Sequence, residues 1–164
     1  MKIVKCSSCG TSVSYHDQTC SYCGTANPEY RAPGDEVNGL LEKAMDAYQH
    51  ERYTAAIDHY NRAIALDPDV FSAYFYLAAC LTVLGRRREA IRAMQSAQGI
   101  RPGNSPIYVN LGLLYKQEGD KDTARTYLEK ALKMVDSDVS VNNREQLKQH
   151  IKKELSGLKR WGLF

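Results

Sequence analysis

Residues 37–138 can be written as three lines of equal length: VNGLLEKAMDAYQHERYTAAIDHYNRAIALDPDV (37–70), FSAYFYLAACLTVLGRRREAIRAMQSAQGIRPGN (71–104) and SPIYVNLGLLYKQEGDKDTARTYLEKALKMVDSD (105–138). Stacked, the lines show a spacing of 34 residues. Ala56, Ala90 and Ala124 fall one spacing apart, as do Ala63, Ala97 and Ala131. Leu66, Ile100 and Met134 keep a third register, and Pro68 and Pro102 a fourth, with Asp136 where the next proline would fall. Each copy holds two runs of apolar residues at helical spacing, split by a turn. A period of this length made from two helices marks a helical solenoid, whose units bury their apolar faces only by stacking.

The expected helices are 37–49, 53–66, 71–84, 87–100, 105–118 and 121–135, with Asp35, Asp69, Asn104 and Asp120 placed as helix starts. Small residues stand where the two helices of a unit must touch: Ala44, Ala78 and Gly112 on the first helix, Ala56, Ala90 and Ala124 on the second. Leu40, Tyr74 and Tyr108 fill one layer around them, and Tyr60, Met94 and Leu128 another.

These columns resemble the tetratricopeptide repeat over three units, 35–136 in all. The third unit is the nearest to the family's signature, with Tyr108, Leu111, Gly112, Tyr115, Gly119, Asp120, Ala124, Leu128 and Ala131 in its positions. The first departs from it, with Lys43 for the usual leucine and Glu51 for the turn glycine. The resemblance implies a right-handed superhelix whose first helices line a concave groove that receives a protein or peptide segment. Carried onto this chain, the groove columns are Leu41, Met45, Tyr48 and Gln49, then Phe75, Ala79, Thr82 and Val83, then Val109, Leu113, Lys116 and Gln117. They are mostly apolar, so an apolar segment is the expected partner. Some relatives clamp a free carboxylate with lysines, asparagines and an arginine. The corresponding columns here hold Leu41, Met45, Tyr76, Pro106 and Asn110, and a clamp without cations cannot hold a carboxylate.

Beyond the repeats, Asn142 with Glu145 reads as a helix start of the capping-box kind, and Leu147, Ile151, Leu155 and Leu158 form one apolar stripe. Residues 139–159 are therefore the capping helix that ends the stack. Six Lys or Arg against Glu145 and Glu154 make residues 144–160 basic. The apolar tail 160–164 carries Trp161, Leu163 and Phe164, a docking element that either folds back on the cap or enters a groove.

At the other end, Cys6-Ser-Ser-Cys9-Gly10-Thr11 is echoed by Cys20-Ser-Tyr-Cys23-Gly24-Thr25. Two residues between cysteines let both sulfurs face one ion, and the following glycine can take the positive φ of a tight knuckle. Four thiolates close a tetrahedral site that suits one structural Zn2+, with Cys6, Cys9, Cys20 and Cys23 as ligands. Iron accepts the same ligands, and a thioredoxin-like redox pair would need a βαβ context that is absent. His16 reads as a loop residue because four cysteines complete the site. The doubled C-x-x-C-G resembles a zinc ribbon over 1–27, a small β unit that metal would hold folded. Residues 28–34, with two prolines and a glycine, are the linker.

The whole is mainly α: an α-solenoid of three helix-turn-helix repeats plus a capping helix, preceded by a small β-type zinc ribbon. A net charge of +3 demands no polyanion, and no apolar run is long enough for a membrane span. Cysteines used for metal and the lack of a secretory leader point to the cytoplasm. His50, His59 and His150 stand isolated, no phosphate-binding glycine loop exists, and Cys80 reads as core, so no enzyme is expected. The expected function is a protein-interaction adaptor. Its rivals are a nucleic-acid role through Arg86-Arg87-Arg88 and the basic cap, and self-assembly through groove and tail; oligomeric state stays open.

Overall fold

Apolar residues at a 3.6-residue period, interrupted at the same column of each unit, give three antiparallel helix pairs. In the computed structural model of the chain, which describes residues 3–14, 19–20, 22–28 and 34–158, they are α1 (Asp35–Gln49) with α2 (Tyr53–Leu66), α3 (Phe71–Val83) with α4 (Arg87–Ile100), and α5 (Ser105–Gln117) with α6 (Lys121–Met134). A seventh helix, α7 (Arg144–Gly157), follows. Each helix packs on the next in chain order, from α1 on α2 to α6 on α7, except that β1 (Ile3–Lys5) and β2 (Ser12–Ser14) form a separate antiparallel hairpin with Val4 paired to Val13. The architecture is the mainly α solenoid with a small β unit before it.

One continuous core runs through the stack. Ala44, Ala56, Ala63, Ala90, Ala97, Ala124 and Ala131 are completely buried, with Tyr60, Met94 and Leu128 beside them. Gly112 marks the tightest contact: a Cβ there would lie 2.7 Å from Leu128 Cγ and 3.1 Å from the Ala124 carbonyl. The same column holds Ala44 and Ala78, and the column of Leu128 holds Tyr60 and Met94. The stripe of α7 seals the last unit, with Ile151 and Leu158 buried and Leu147 and Leu155 packed against the core.

The turn within each unit repeats one hydrogen-bonded form. Arg52, Arg86 and Asp120 donate their backbone N–H groups to the carbonyls of Ala47, Leu81 and Tyr115. This C-terminal cap needs a left-handed residue just before the donor, supplied by Gly85 (φ 73°) and Gly119 (φ 86°) but by Glu51 (φ 57°) in the first unit. A side chain in that conformation costs roughly 1–2 kcal/mol. Glu51→Gly is therefore expected to stabilise the chain by about 1 kcal/mol, less than the full cost because glycine loses more entropy on folding. A urea midpoint that does not rise would contradict this.

The starts of the helices depart from the sequence reading in three places. Gly34, not Asp35, is the N-cap of α1, leaving Asp35 and Glu36 in its first turn, where carboxylates suit the helix dipole. Val70 is the N-cap of α3, while Asp69 donates its N–H to the Asp67 carboxylate at 2.9 Å in the turn around Pro68. Asn143, not Asn142, precedes α7 and makes no side-chain cap. Asp120 does cap α6, accepting from Thr123 N at 3.0 Å. Asn104 holds the N-cap position of α5, but its amide donates to Ser140 Oγ instead.

Candidate functional site

The two cysteine turns are built alike. Cys6 N donates to Thr11 O and Gly10 N to Cys6 O, and fourteen residues on Cys20 N donates to Thr25 O and Gly24 N to Cys20 O. Gly10 (φ 70°) and Gly24 (φ 73°) take the left-handed turn that aims both sulfurs of a pair inward. The hairpin flanks the first turn, and a single bridge between Thr19 and Ala26 flanks the second. All four sulfurs then lie within 4.8 Å of one another. Cys6 and Cys23 Sγ are 3.6 Å apart and Cys9 and Cys20 Sγ 3.7 Å. A tetrahedron with metal–sulfur bonds of about 2.3 Å has edges of about 3.8 Å, so the four sulfurs can hold one metal ion.

The electrostatics divide the thiols. The backbone of Cys23 and Tyr22 pulls Cys20 down, but desolvation and the neighbouring Cys23 and Cys9 sulfurs outweigh it and hold that thiol above its usual value, while two others are lowered. The Thr25 hydroxyl, 3.2 Å from Cys23 Sγ, and the Thr25 backbone bring the Cys23 thiol down to about 6. Thr11 lowers Cys9 in the same way. A thiol that ionises readily is a better ligand. Among the described residues only Cys6, Val13 and Cys20 are buried in this unit, with Val4 beside them, so little else organises it. His16 lies outside the described residues.

The second candidate site is the concave side of the first helices. Tyr48, Phe75, Ala79, Thr82, Val83, Leu113 and Gln117 line a concavity of about 260 Å³, together with Met94, Asn110 and Leu114. Val83 stands 57% exposed there, an apolar group with no cover among the described residues. Leu41, Met45 and Gln49 lie on α1 outside the concavity. Two columns depart from the groove. Val109 is buried in the core, and the Lys116 ammonium turns away to the Glu154 carboxylate of α7, 2.8 Å distant. The reason is positional: the segment after α6 grips both ends of α5, through Asp138 to Ser105 and through Glu154 to Lys116, and closes the side that a further unit would leave open.

Asn110 and Leu114 could have been found by sequence, since each is one turn from a groove column; Met94 comes from a second helix, which no groove column predicts. A larger hollow of about 540 Å³ adjoins through Phe75, at the starts of α3 and α5. There the Arg101 guanidinium lies over the Phe71 ring, 4.3 Å from its centre. The basic cluster is partly satisfied internally. Arg86 holds Glu89 at 2.7 Å, Arg88 lies 3.9 Å from Glu118, and Lys148 holds Asp136 at 2.5 Å. Cys80 is buried, which pushes its thiol up to about 11 and makes it inert. Trp161, Leu163 and Phe164 lie outside the described residues. No described helix is long and apolar enough to cross a membrane.

Sequence profiles described as "Tetratricopeptide repeat" match residues 41–105 and 105–134. Among curated proteins, a DnaJ protein homolog of Arabidopsis thaliana is 32% identical over 107 residues, covering 62% of this chain and 22% of that protein. DnaJ homolog subfamily C member 3 of Mus musculus is 28% identical over 102 residues, 61% of this chain and 20% of that one. The chain thus spans about a fifth of these relatives' length. Among solved structures, the type III secretion chaperone SycD of Yersinia enterocolitica, in complex with a peptide of the translocator YopD, superposes with a TM-score of 0.70 at 18% identity, covering 76% of this chain and 92% of that chain. The Sgt2 TPR domain of Aspergillus fumigatus gives a TM-score of 0.62 at 20% identity over 74% of this chain and 80% of that chain. At these identities the structures share the fold.

Proposed function

Because residues 41–134 belong to the tetratricopeptide-repeat family, we propose that this chain is a non-enzymatic adaptor that takes an apolar segment of another protein into its groove. The carrying observation is the concavity walled by Phe75, Ala79, Val83 and Leu113, with the amides of Asn110 and Gln117 among its lining. Apolar walls supply burial, roughly 1.5–3 kcal/mol per side chain enclosed. Amides beside them can take the backbone of an extended peptide, each contributing about 1 kcal/mol. Two anchors and two such bonds contribute roughly 5–8 kcal/mol before the cost of association is subtracted, so a lasting complex needs contacts along more of the groove than this concavity alone. The fold likeness to SycD, solved with a peptide of YopD, supports a peptide as the kind of ligand.

The cysteine unit is read as a structural zinc ribbon. Zn2+ takes four thiolates in a closed site and has no open position for chemistry, which keeps the unit a foot and not a catalyst. Thiolates persist in a reducing compartment, consistent with the cytoplasm. The nucleic-acid reading is weakened by carboxylates that already hold Arg86 and Lys148.

Immobilised full-length chain is expected to capture its partner in a salt-tolerant manner, since burial rather than phosphate contact holds it. Val83→Glu and Leu113→Glu should each weaken capture roughly 30- to 100-fold, because a carboxylate set against an apolar segment costs at least 2–3 kcal/mol. Helicity should be retained, most securely for the exposed Val83. Capture that survives both changes would sink the groove reading.

A further inference from the structure

The described residues end at Leu158, which is buried against the last unit. The Leu158 carbonyl accepts from Arg125 on α6, and one turn back Glu154 holds Lys116 on α5. A Cβ on Gly157 would lie 3.8 Å from that same Lys116 ammonium. Lys116 directly precedes Gln117 and stands one turn beyond Leu113, both of which line the apolar concavity. The last helix therefore delivers the chain to the end of α5 at which the concavity lies. Residues 159–164 follow, reading Lys-Arg-Trp-Gly-Leu-Phe. Six extended residues reach about 20 Å. Neighbouring helix axes lie about 8–10 Å apart, so that reach is enough to cross α5.

We propose that Trp161-Gly162-Leu163-Phe164 docks within the same chain into the concavity between α3 and α5, covering the partner surface until a segment of similar chemistry displaces it. The proposal rests on the groove reading above. The chemistry is matched: the segment offers two aromatic rings and a leucine, and the concavity offers Phe75, Val83 and Leu113. Neither Asn110 nor Gln117 has a hydrogen-bond partner among the described residues, leaving their amides available to the indole N–H and the tail backbone. A second copy could offer the same segment. A short tether, however, holds the intramolecular one at an effective concentration on the order of millimolar, well above that of free chains.

Trp161 is the only tryptophan, so its emission reports on the tail alone. In the full-length chain the emission should be blue-shifted and protected from acrylamide, and should stay so on dilution. Val83→Glu and Leu113→Glu should each return it toward that of free tryptophan. Leu66→Glu, at an exposed position on α2 outside the concavity, should not. Next, Trp161, Leu163 and Phe164 are replaced together by alanine, and a labelled peptide with the sequence of residues 158–164 is titrated. It should bind this variant about 10-fold more tightly than the unsubstituted chain, whose groove is already occupied by the tethered copy.

A solvated tryptophan in the unsubstituted chain, or burial that persists in both concavity variants, would overturn the proposal. So would a signal lost on dilution, which belongs to docking between copies, or equal peptide affinity for both chains. If the tryptophan is solvated while partner capture still fails in Val83→Glu, the tail proposal alone falls and the groove reading stands.

Discussion

With the proposed ion held by Cys6, Cys9, Cys20 and Cys23, chelation with excess EDTA, or replacement of Cys9 with serine, is expected to unfold residues 3–28 and leave the helical repeats intact. The unit has almost nothing else to hold it. Its regular structure is a hairpin of two three-residue strands, and its buried apolar side chains among the described residues are Cys6, Val13 and Cys20. Burying a valine contributes about 1.5–3 kcal/mol, whereas ordering each residue costs about 1–2 kcal/mol of backbone entropy. A structural zinc ion supplies on the order of 10–16 kcal/mol, the only term large enough to close that gap.

The readout separates the two halves of the chain. Helical circular dichroism, dominated by α1 to α7, should change little, while the amide signals of Val4 and Val13 should collapse to unfolded positions. The as-purified chain should carry one ion and be colourless; a coloured protein would indicate iron in the same four-sulfur site. Acid should act like a chelator, because protons compete for thiolates and release the ion as pH falls. Dispersed signals from residues 3–28 that survive complete metal removal would sink the metal reading.

The repeats were legible because their information is periodic. Ala56, Ala90 and Ala124 can only recur at one spacing if the same contact is made three times, and the structure buries all three completely. The cysteine turns were legible for the same reason, since each pair repeats the turn that brings its sulfurs together. What escaped depends on where the stack ends. Val109 and Lys116 take groove columns when each unit is followed by another, but here Val109 is buried in the core and Lys116 is paired with Glu154 of α7. Asn142 with Glu145 has the capping-box pattern, yet the helix begins at Arg144 with Asn143 in the cap position and no side-chain cap. Asp35 and Asp69 have the local preference for capping, yet the preceding turns put Gly34 and Val70 in the cap positions. Glu51 shows the converse: the turn of the first unit keeps its shape although its glycine is missing, because packing of α1 on α2 outweighs the strain of one residue.

Asp138→Ala is expected to destabilise the repeats by roughly 2–4 kcal/mol, the scale of leaving the two buried Ser105 donors without an acceptor. Asp138 occupies the column of Val70 and Asn104, where a following helix would be capped, but no helix begins there. It turns back and caps α5. Its Oδ2 accepts from Ser105 N at 2.5 Å and Ser105 Oγ at 2.7 Å, and its Oδ1 from Ser140 N at 2.9 Å and Ser140 Oγ at 2.6 Å. Ser105 is fully buried and Asp138 is 6% exposed, so no water takes over the two Ser105 donors when the carboxylate is lost, whereas those of the exposed Ser140 can turn to solvent. Burial alone would raise the Asp138 carboxyl; the four donors outweigh it and hold the carboxyl below its usual value. The sign of the pH dependence follows. A carboxyl held lower in the folded than in the unfolded chain stabilises above the unfolded value, near 3.9, and that stability is lost as pH falls through the folded value. Asp138→Asn keeps one acceptor oxygen but turns an amide donor toward the N–H and hydroxyl of one serine, so it should cost less than alanine while removing the acid-dependent loss. The comparison is a set of urea midpoints from pH 7 to pH 3 for the three chains. Parallel losses in the unsubstituted chain and Asp138→Asn would show that the carboxylate is not the cap the geometry makes it.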